Sequence, residues 1–266
     1  MSLRPRVAGV DFSGARDAGH HIWVAEGTPT VEGLQIDTLS RAADLPLGGV
    51  GFTEAITGLR NHLEGMTDTI IGLDFPFSIP AVLIEQVTWP AFIRDFSSRF
   101  ETAENFRDHC RLKTGGKELK RLSDVEARVP WCAYNLRIYR QTWAGIRHVL
   151  SPLVADKCVR VVPIQTPKYG LPIIAEVCPA SLLKSEGLYV RYKGRGLELR
   201  KARSMILSKM TQRELLLPIT GAIRKSMVED IGGDALDAAL AAVCASGIVD
   251  ISPRSAADRL ECRVYF

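Results

Sequence analysis

The apolar positions of this chain fall into short runs and longer stretches of helical spacing. Residues 6–12 (RVAGVDF) form a compact apolar run ending in Asp-Phe-Ser-Gly, which predicts a first strand. Residues 21–25 and 31–38 predict a second and a third strand, with turns at Gly19 and Gly27-Thr28-Pro29. Within 53–63 the apolar side chains sit at 55, 56, 59 and 63, the spacing of one helix face, with Thr53 as the expected N-cap. Residues 69–74 (TIIGLD) predict a buried strand, which Pro76 and Pro80 prevent from continuing. Residues 81–157 read as a long, mostly helical insertion, with helices over 92–100 and 136–149. Residues 159–163 and 173–177 are strands around a turn-rich Pro167-Lys168-Tyr169-Gly170 link. Residues 186–197 are a Gly- and Arg-rich loop, 198–210 a basic helix, and Gly232-Gly233 opens a last helix over 234–245. Three hairpin-like strands followed by strands alternating with helices describe an α/β fold, a mixed sheet with helices on its faces.

Composition narrows the function classes. The chain has 266 residues, 46% hydrophobic and 24% charged, which is ordinary for a single globular domain with insertions. The six cysteines, at 110, 132, 158, 178, 244 and 262, form no Cys-x-x-Cys pair, so neither a zinc ribbon nor a thioredoxin motif is expected. Without a disulfide framework, and with Met1-Ser2-Leu3-Arg4-Pro5 leading straight into a strand, a cytoplasmic location is expected. No apolar stretch reaches roughly 18 residues, so no membrane association is expected. The net charge of +4 is unevenly distributed. Residues 94–147 carry 12 basic against 7 acidic side chains, and 184–225 carry 11 against 3. Such segments are either solvated helix faces or contacts for a phosphate-bearing partner.

Four acids stand among apolar neighbours: Asp11, Asp74, Glu176 and Asp237. Charged carboxylates are rarely buried unless paired or bound to metal. An acid at the end of a buried strand points into the crevice where open α/β sheets bind ligands. Several close carboxylates raise one another's pKa, and a hard divalent cation relieves that repulsion. Each acid also has a local reading. Asp11 can cap the Ser13-Gly14 turn, Asp74 can serve the Phe75-Pro76 turn, and Glu176 can lie one residue inside its strand end. Asp234 fits an N-cap after two glycines. Asp237 shares a helix face with Asp234, cannot be a cap, and lies in a helix that is apolar on all sides.

Val10-Asp11-Phe12-Ser13-Gly14-Ala15, Gly72-Leu73-Asp74-Phe75-Pro76, Glu176-Val177-Cys178-Pro179 and Asp234-Ala235-Leu236-Asp237-Ala238 occur in this order. The series resembles the family called domain of unknown function 429. Its last segment is also similar to the Asp-x-x-Asp end of Holliday-junction resolvases. The resemblance implies a ribonuclease H-like fold: a five-stranded mixed sheet, its first three strands antiparallel, in one domain with a helical insertion at about 81–157 and a basic one at about 184–225. It implies acids on the first and fourth strands and on the last helix, with Mg²⁺ or Mn²⁺ between them. Asp11, Asp74 and Asp237 are carried over as ligands, with Glu176 and Asp234 beside them. Ribonuclease H itself adds a Glu on the first helix, where this chain has only Glu54 and Glu64 at the helix ends.

The expectation is a metal-dependent nuclease that hydrolyses phosphodiester bonds. Asp11 and Asp237 share a metal, Asp74 and Glu176 complete the shell, and Arg191, Lys193 and Arg195 hold phosphates. Nucleic acid is the expected partner, and the resolvase resemblance points to a homodimer. Two other readings stand beside it. One is an ATP-dependent phosphotransferase of the actin-like superfamily, which needs a second domain. The other is a non-catalytic nucleic-acid-binding module of the same fold. Other motifs carry less. Ser13 has no evident base, Cys178 no histidine partner, and Lys113 to Lys117 lack phosphate-loop spacing.

Overall fold

The computed structural model describes residues 6–266, so the lead-in at 1–5 lies outside the described residues. The chain opens with β1 (Arg6–Asp11), α1 (Ala18–His21), β2 (Trp23–Thr30), β3 (Gly33–Arg41), α2 (Phe52–Glu64) and β4 (Thr69–Asp74). The insertion follows as α3 (Trp89–Arg99), α4 (Ala103–Lys113), α5 (Leu122–Glu126), α6 (Tyr139–Ala144) and α7 (Ser151–Ala155). A π-helical turn, Gly145–Leu150, joins α6 to α7. Then come β5 (Arg160–Val162), β6 (Ile173–Val177), α8 (Pro179–Ser185), α9 (Leu197–Gln212), α10 (Gly221–Glu229), α11 (Asp234–Ser246), α12 (Ala256–Glu261) and β7 (Val264–Tyr265).

The strands form one sheet in the order β3-β2-β1-β4-β6-β5, with β7 also on β6. β1, β2 and β3 are antiparallel, as the pattern predicts, whereas β1–β4, β4–β6, β6–β5 and β6–β7 are parallel. The sheet has seven strands rather than five. Two short members share one edge: β5, expected from residues 159–163, pairs with Ile173 to Ala175, and β7, which no apolar run marks, pairs with Glu176 and Val177. Among the described residues the strands form this one sheet. No helix among the described residues is long and apolar enough to cross a membrane.

Several boundaries differ from expectation for local reasons. His21 closes a one-turn helix rather than opening a strand, and β2 runs through Gly27 and Pro29 with a register shift after Glu26. Gly51, not Thr53, is the N-cap of α2. A further helix, α12, follows α11.

Alternation along the strands splits the core in two. Ala8, Val10, Ile71, Leu73 and Ile174 face α2 and the insertion helices. Val7 and Val177 face the opposite layer, where α11 lies among α8, α9 and α10. Every residue from Ala235 to Ala245 in α11 is buried, which explains a helix apolar all round. Its alanines let it sit directly on the strands. A Cβ at Gly9 would lie 2.0 Å from the Ala242 amide nitrogen, and one at Gly72 would lie 2.8 Å from the Ala241 carbonyl oxygen. Gly9 and Asp11 share a face of β1, as Gly72 and Asp74 share a face of β4. The backbone contact that seats α11 therefore also aims both acids at its N-terminal end.

Candidate active site

Asp11 and Asp74 are direct register partners at the C-terminal ends of the adjacent parallel strands β1 and β4. Parallel neighbours stand about 4.8 Å apart, so two like charges are forced side by side. α11 brings Asp234 in its first turn and Asp237 three residues on; Asp237 is 3% exposed. The four aspartates line a cavity of about 770 Å³. Its walls come from both insertions, with Trp131, Arg137 and Gln141 from one and Tyr189, Arg191 and Lys193 from the other.

Asp234 is not the cap of α11. Gly233, at φ +77°, holds the N-cap position, and Asp230 Oδ2 accepts from the Ala235 amide at 3.0 Å. That leaves the Asp234 carboxylate to face His21 Nδ1 at 3.4 Å and Lys193 Nζ at 3.9 Å. Lys193 Nζ is 2.5 Å from Asp237 Oδ2, and the Tyr192 hydroxyl donates to Asp237 Oδ1 at 2.5 Å. The Tyr192 ring packs over Gly233, where a Cβ would meet it at 3.0 Å. Arg203, fully buried, clamps this loop. Its Nη1 donates to the carbonyls of Tyr192 at 2.5 Å and Gly194 at 3.3 Å, and its Nε to Val228 at 2.8 Å.

The electrostatics follow from this crowding. Burial pushes Asp11 well above the usual carboxylate range; Lys193 opposes the shift, and Asp237, Asp234 and Asp74 add to it. Burial and then Asp237 push Asp74 up to about 7. Burial also raises Asp234, against Lys193. Desolvation pulls the Lys193 ammonium down, but Asp237 and Asp11 outweigh it and hold the group above its ordinary value. Among the described residues, no hydrogen bond reaches the side-chain oxygens of Asp11 or Asp74; only the Asp74 backbone carbonyl accepts, from Gln141 at 2.7 Å.

Glu176, expected in the same shell, lies elsewhere. It registers with Leu73, which faces the insertion side of the sheet, so its side chain leaves the face that Asp74 uses. Both its oxygens are taken. Arg121 Nη1 donates to Oε2 at 2.7 Å, the Phe77 amide to the same oxygen at 2.9 Å, and Arg121 Nη2 to Oε1. Arg121 also pairs with Asp124, with Nη2 2.6 Å from Oδ1, and donates to the Glu261 carbonyl at 3.0 Å. Burial raises Glu176, and Arg121 offsets part of that shift. Glu176 is thus an acid of a buried ion network that touches the cavity wall.

The basic residues also separate. Arg191 lines the cavity, Lys193 is held by carboxylates, and Arg195 is exposed outside the lining. Much of 184–225 is engaged internally: Arg213 with Glu186 at 2.5 Å, Lys201 with Glu198 at 2.9 Å, and Arg200 with Glu229. Ser13 Oγ accepts from the Ala15 amide at 3.3 Å, a turn role. Cys178 is buried, and its thiol is pushed up to about 12 by burial. Tyr192 and Arg203 carry no sequence signal, because no spacing ties them to an acid.

Asp11, Asp74, Asp234 and Asp237 suit a hard cation in donor type: all oxygen, mutually repelling, and two of them free of hydrogen bonds. As they stand, however, no group of three or more His, Cys, Asp or Glu among the described residues is arranged so that it could hold a metal ion. The Lys193 ammonium stands against the Asp237 oxygen instead. Comparison with protein-family models, with characterised proteins and with solved structures gives no match for this chain.

Proposed function

We propose that this chain is a Mg²⁺- or Mn²⁺-dependent nuclease whose sheet is of the ribonuclease H-like type. One observation carries the reading. Asp11 and Asp74 end adjacent parallel strands with carboxylates that lack hydrogen bonds and have raised pKa values, and α11 adds Asp237 and Asp234 to the same cavity. A structural role would have matched these oxygens with donors, as it does at Glu176. The order β3-β2-β1-β4-β6, antiparallel and then parallel, supports the fold assignment.

Asp11, Asp74 and Asp237 are the residues that would hold the cation, with Asp234 at the rim. A divalent cation supplies Lewis-acid polarisation of a phosphoryl oxygen and a more acidic water. The protein's own groups do the rest. Tyr192 fixes the orientation of Asp237 through its hydroxyl. Lys193 offsets part of the cluster's charge, and its half-exposed side chain could turn toward substrate phosphate were a cation to take its place. Arg191 on the wall adds a second positive charge for the phosphate backbone.

The test is cleavage of labelled single-stranded, double-stranded, hybrid and branched substrates with Mn²⁺, Mg²⁺ or chelator. Metal-dependent cutting is expected, reduced roughly 100-fold or more in Asp237→Asn. Calorimetry should show the variant's cation affinity lowered in parallel. Full metal-dependent activity in Asp237→Asn would remove the proposal.

A further inference from the structure

The carboxylates line a cavity that also carries two aromatic rings with no part in any of the hydrophobic clusters of the core, Trp131 and Tyr189. Tyr189 is 52% exposed. Each ring has a cation over it: Arg137 stands 4.7 Å from the Trp131 centroid, and Lys184 Nζ 5.0 Å from that of Tyr189. Lys184 is itself tied down, donating to the Arg128 carbonyl at 2.6 Å. These cations steady the ring planes and place positive charge beside them. Among the described residues the Trp131 indole N–H has no hydrogen-bond acceptor, so it is left to serve a ligand. A half-buried Trp131 and an exposed Tyr189 that core packing does not explain, each set beside a cation, are the chemistry that binds bases of single-stranded nucleic acid.

Depth decides between single and double strands. Asp237 and Asp11 are 3% and 7% exposed, so a phosphate reaches them only from within the cavity that both rings line. A duplex is stiff over roughly 150 base pairs and carries its phosphates on a convex surface, which cannot follow a recessed floor. A single strand can drop one nucleotide inward, as enzymes working in closed pockets require. The volume, about 770 Å³, lies within the range of cavities that take small organic ligands.

From this we infer that the cavity takes one unpaired nucleotide of a single strand, its base against Trp131 and Tyr189 and its phosphate toward the aspartates. The inference rests on the nuclease reading for the phosphate, but the base site can be tested separately.

The probes are a short labelled oligothymidylate, the same strand with one abasic position, and the corresponding duplex. Binding is followed by fluorescence anisotropy in Mg²⁺, with Asp237→Asn as the parent so that the probes stay intact. The parent should bind the intact strand about tenfold or more tighter than the abasic strand or the duplex, as expected for one stacked base. Trp131→Ala and Tyr189→Ala should each erase that preference while leaving abasic binding unchanged, and Trp131→Phe should retain it. Unchanged thermal unfolding would show that the variants are folded. Equal binding of all three probes by the parent would overturn the inference, as would variants that weaken all three alike. The two readings fail separately. A base preference without any cleavage by wild type keeps the base site and removes the nuclease. Cleavage of duplex and single strand at equal rates, unchanged in Trp131→Ala, keeps the nuclease and removes the base site.

Discussion

Two sets of buried acids stand on opposite faces of the same sheet, and they are resolved in opposite ways. On the insertion side, Arg121 lies between Asp124 and Glu176 with all three nearly inaccessible, and its guanidinium is matched to both carboxylates and a backbone carbonyl. On the α11 side, Asp11, Asp74, Asp234 and Asp237 share a single half-exposed lysine, and two of them accept nothing. The first arrangement holds the insertion to the sheet and has no spare bonding capacity. The second leaves negative charge unmatched in a cavity, which folding alone does not call for. Burial of an acid is therefore a poor guide to its role; the fate of its oxygens is a better one.

The largest break in this comparison is Arg121→Met. It strands two buried carboxylates and should cost about 3–5 kcal/mol in denaturant unfolding, with cation affinity of the surviving folded protein unchanged. An unaltered midpoint would mean that the network is not structural. The opposite response is expected at Asp74. Its folded-state pKa of about 7 lies above the unfolded value near 4, so folding favours the protonated acid. In metal-free protein the Asp74 contribution is fully present below about pH 4 and is lost as pH rises to about 7. Asp74→Asn removes that share of the slope, leaves those of Asp11 and Asp234, and makes the protein more stable than wild type at pH 8. A steeper fall in the variant would contradict the reading. The smallest effect is at Lys193. Lys193→Met removes the competitor for the cluster, so Mg²⁺ should bind roughly tenfold tighter by calorimetry, the worth of one close ion pair. Weaker binding would mean that the lysine helps to assemble the site.

Much of this site could be read from residue order. Asp11 and Asp74 end apolar runs, and Asp237 interrupts an apolar helix, so burial and placement followed from pattern alone. Glu176 shows where pattern stops. It also follows an apolar run, but it stands one residue before the end of β6, and only the pairing with Leu73 reveals which face it uses. The position of Lys193 depends on contacts far apart in sequence, through Arg203, Tyr192 and Gly233, so its charge could be read but its place among the carboxylates could not. Two glycines make Asp234 fit the cap of α11, and only the fold shows that Asp230 reaches over them to the Ala235 amide, leaving Asp234 to the cavity. β7 was missed because two residues carry too little periodicity to register, and they pair only once β6 is in place.

The bare-backbone seat of α11 on Gly9 and Gly72 sets the mechanical tolerance of the cavity. Most helices rest on a cushion of side chains that can repack, and the cushion absorbs small changes. Here the helix carrying Asp237 bears directly on the strands carrying Asp11 and Asp74, so their separation is gauged by peptide against peptide. A single methyl at Gly72 acts as a shim under one end of the gauge. A misplacement of about 1 Å can cost roughly 100-fold in rate. Gly72→Ala, assayed for turnover beside thermal stability, should therefore lose activity before it loses the fold.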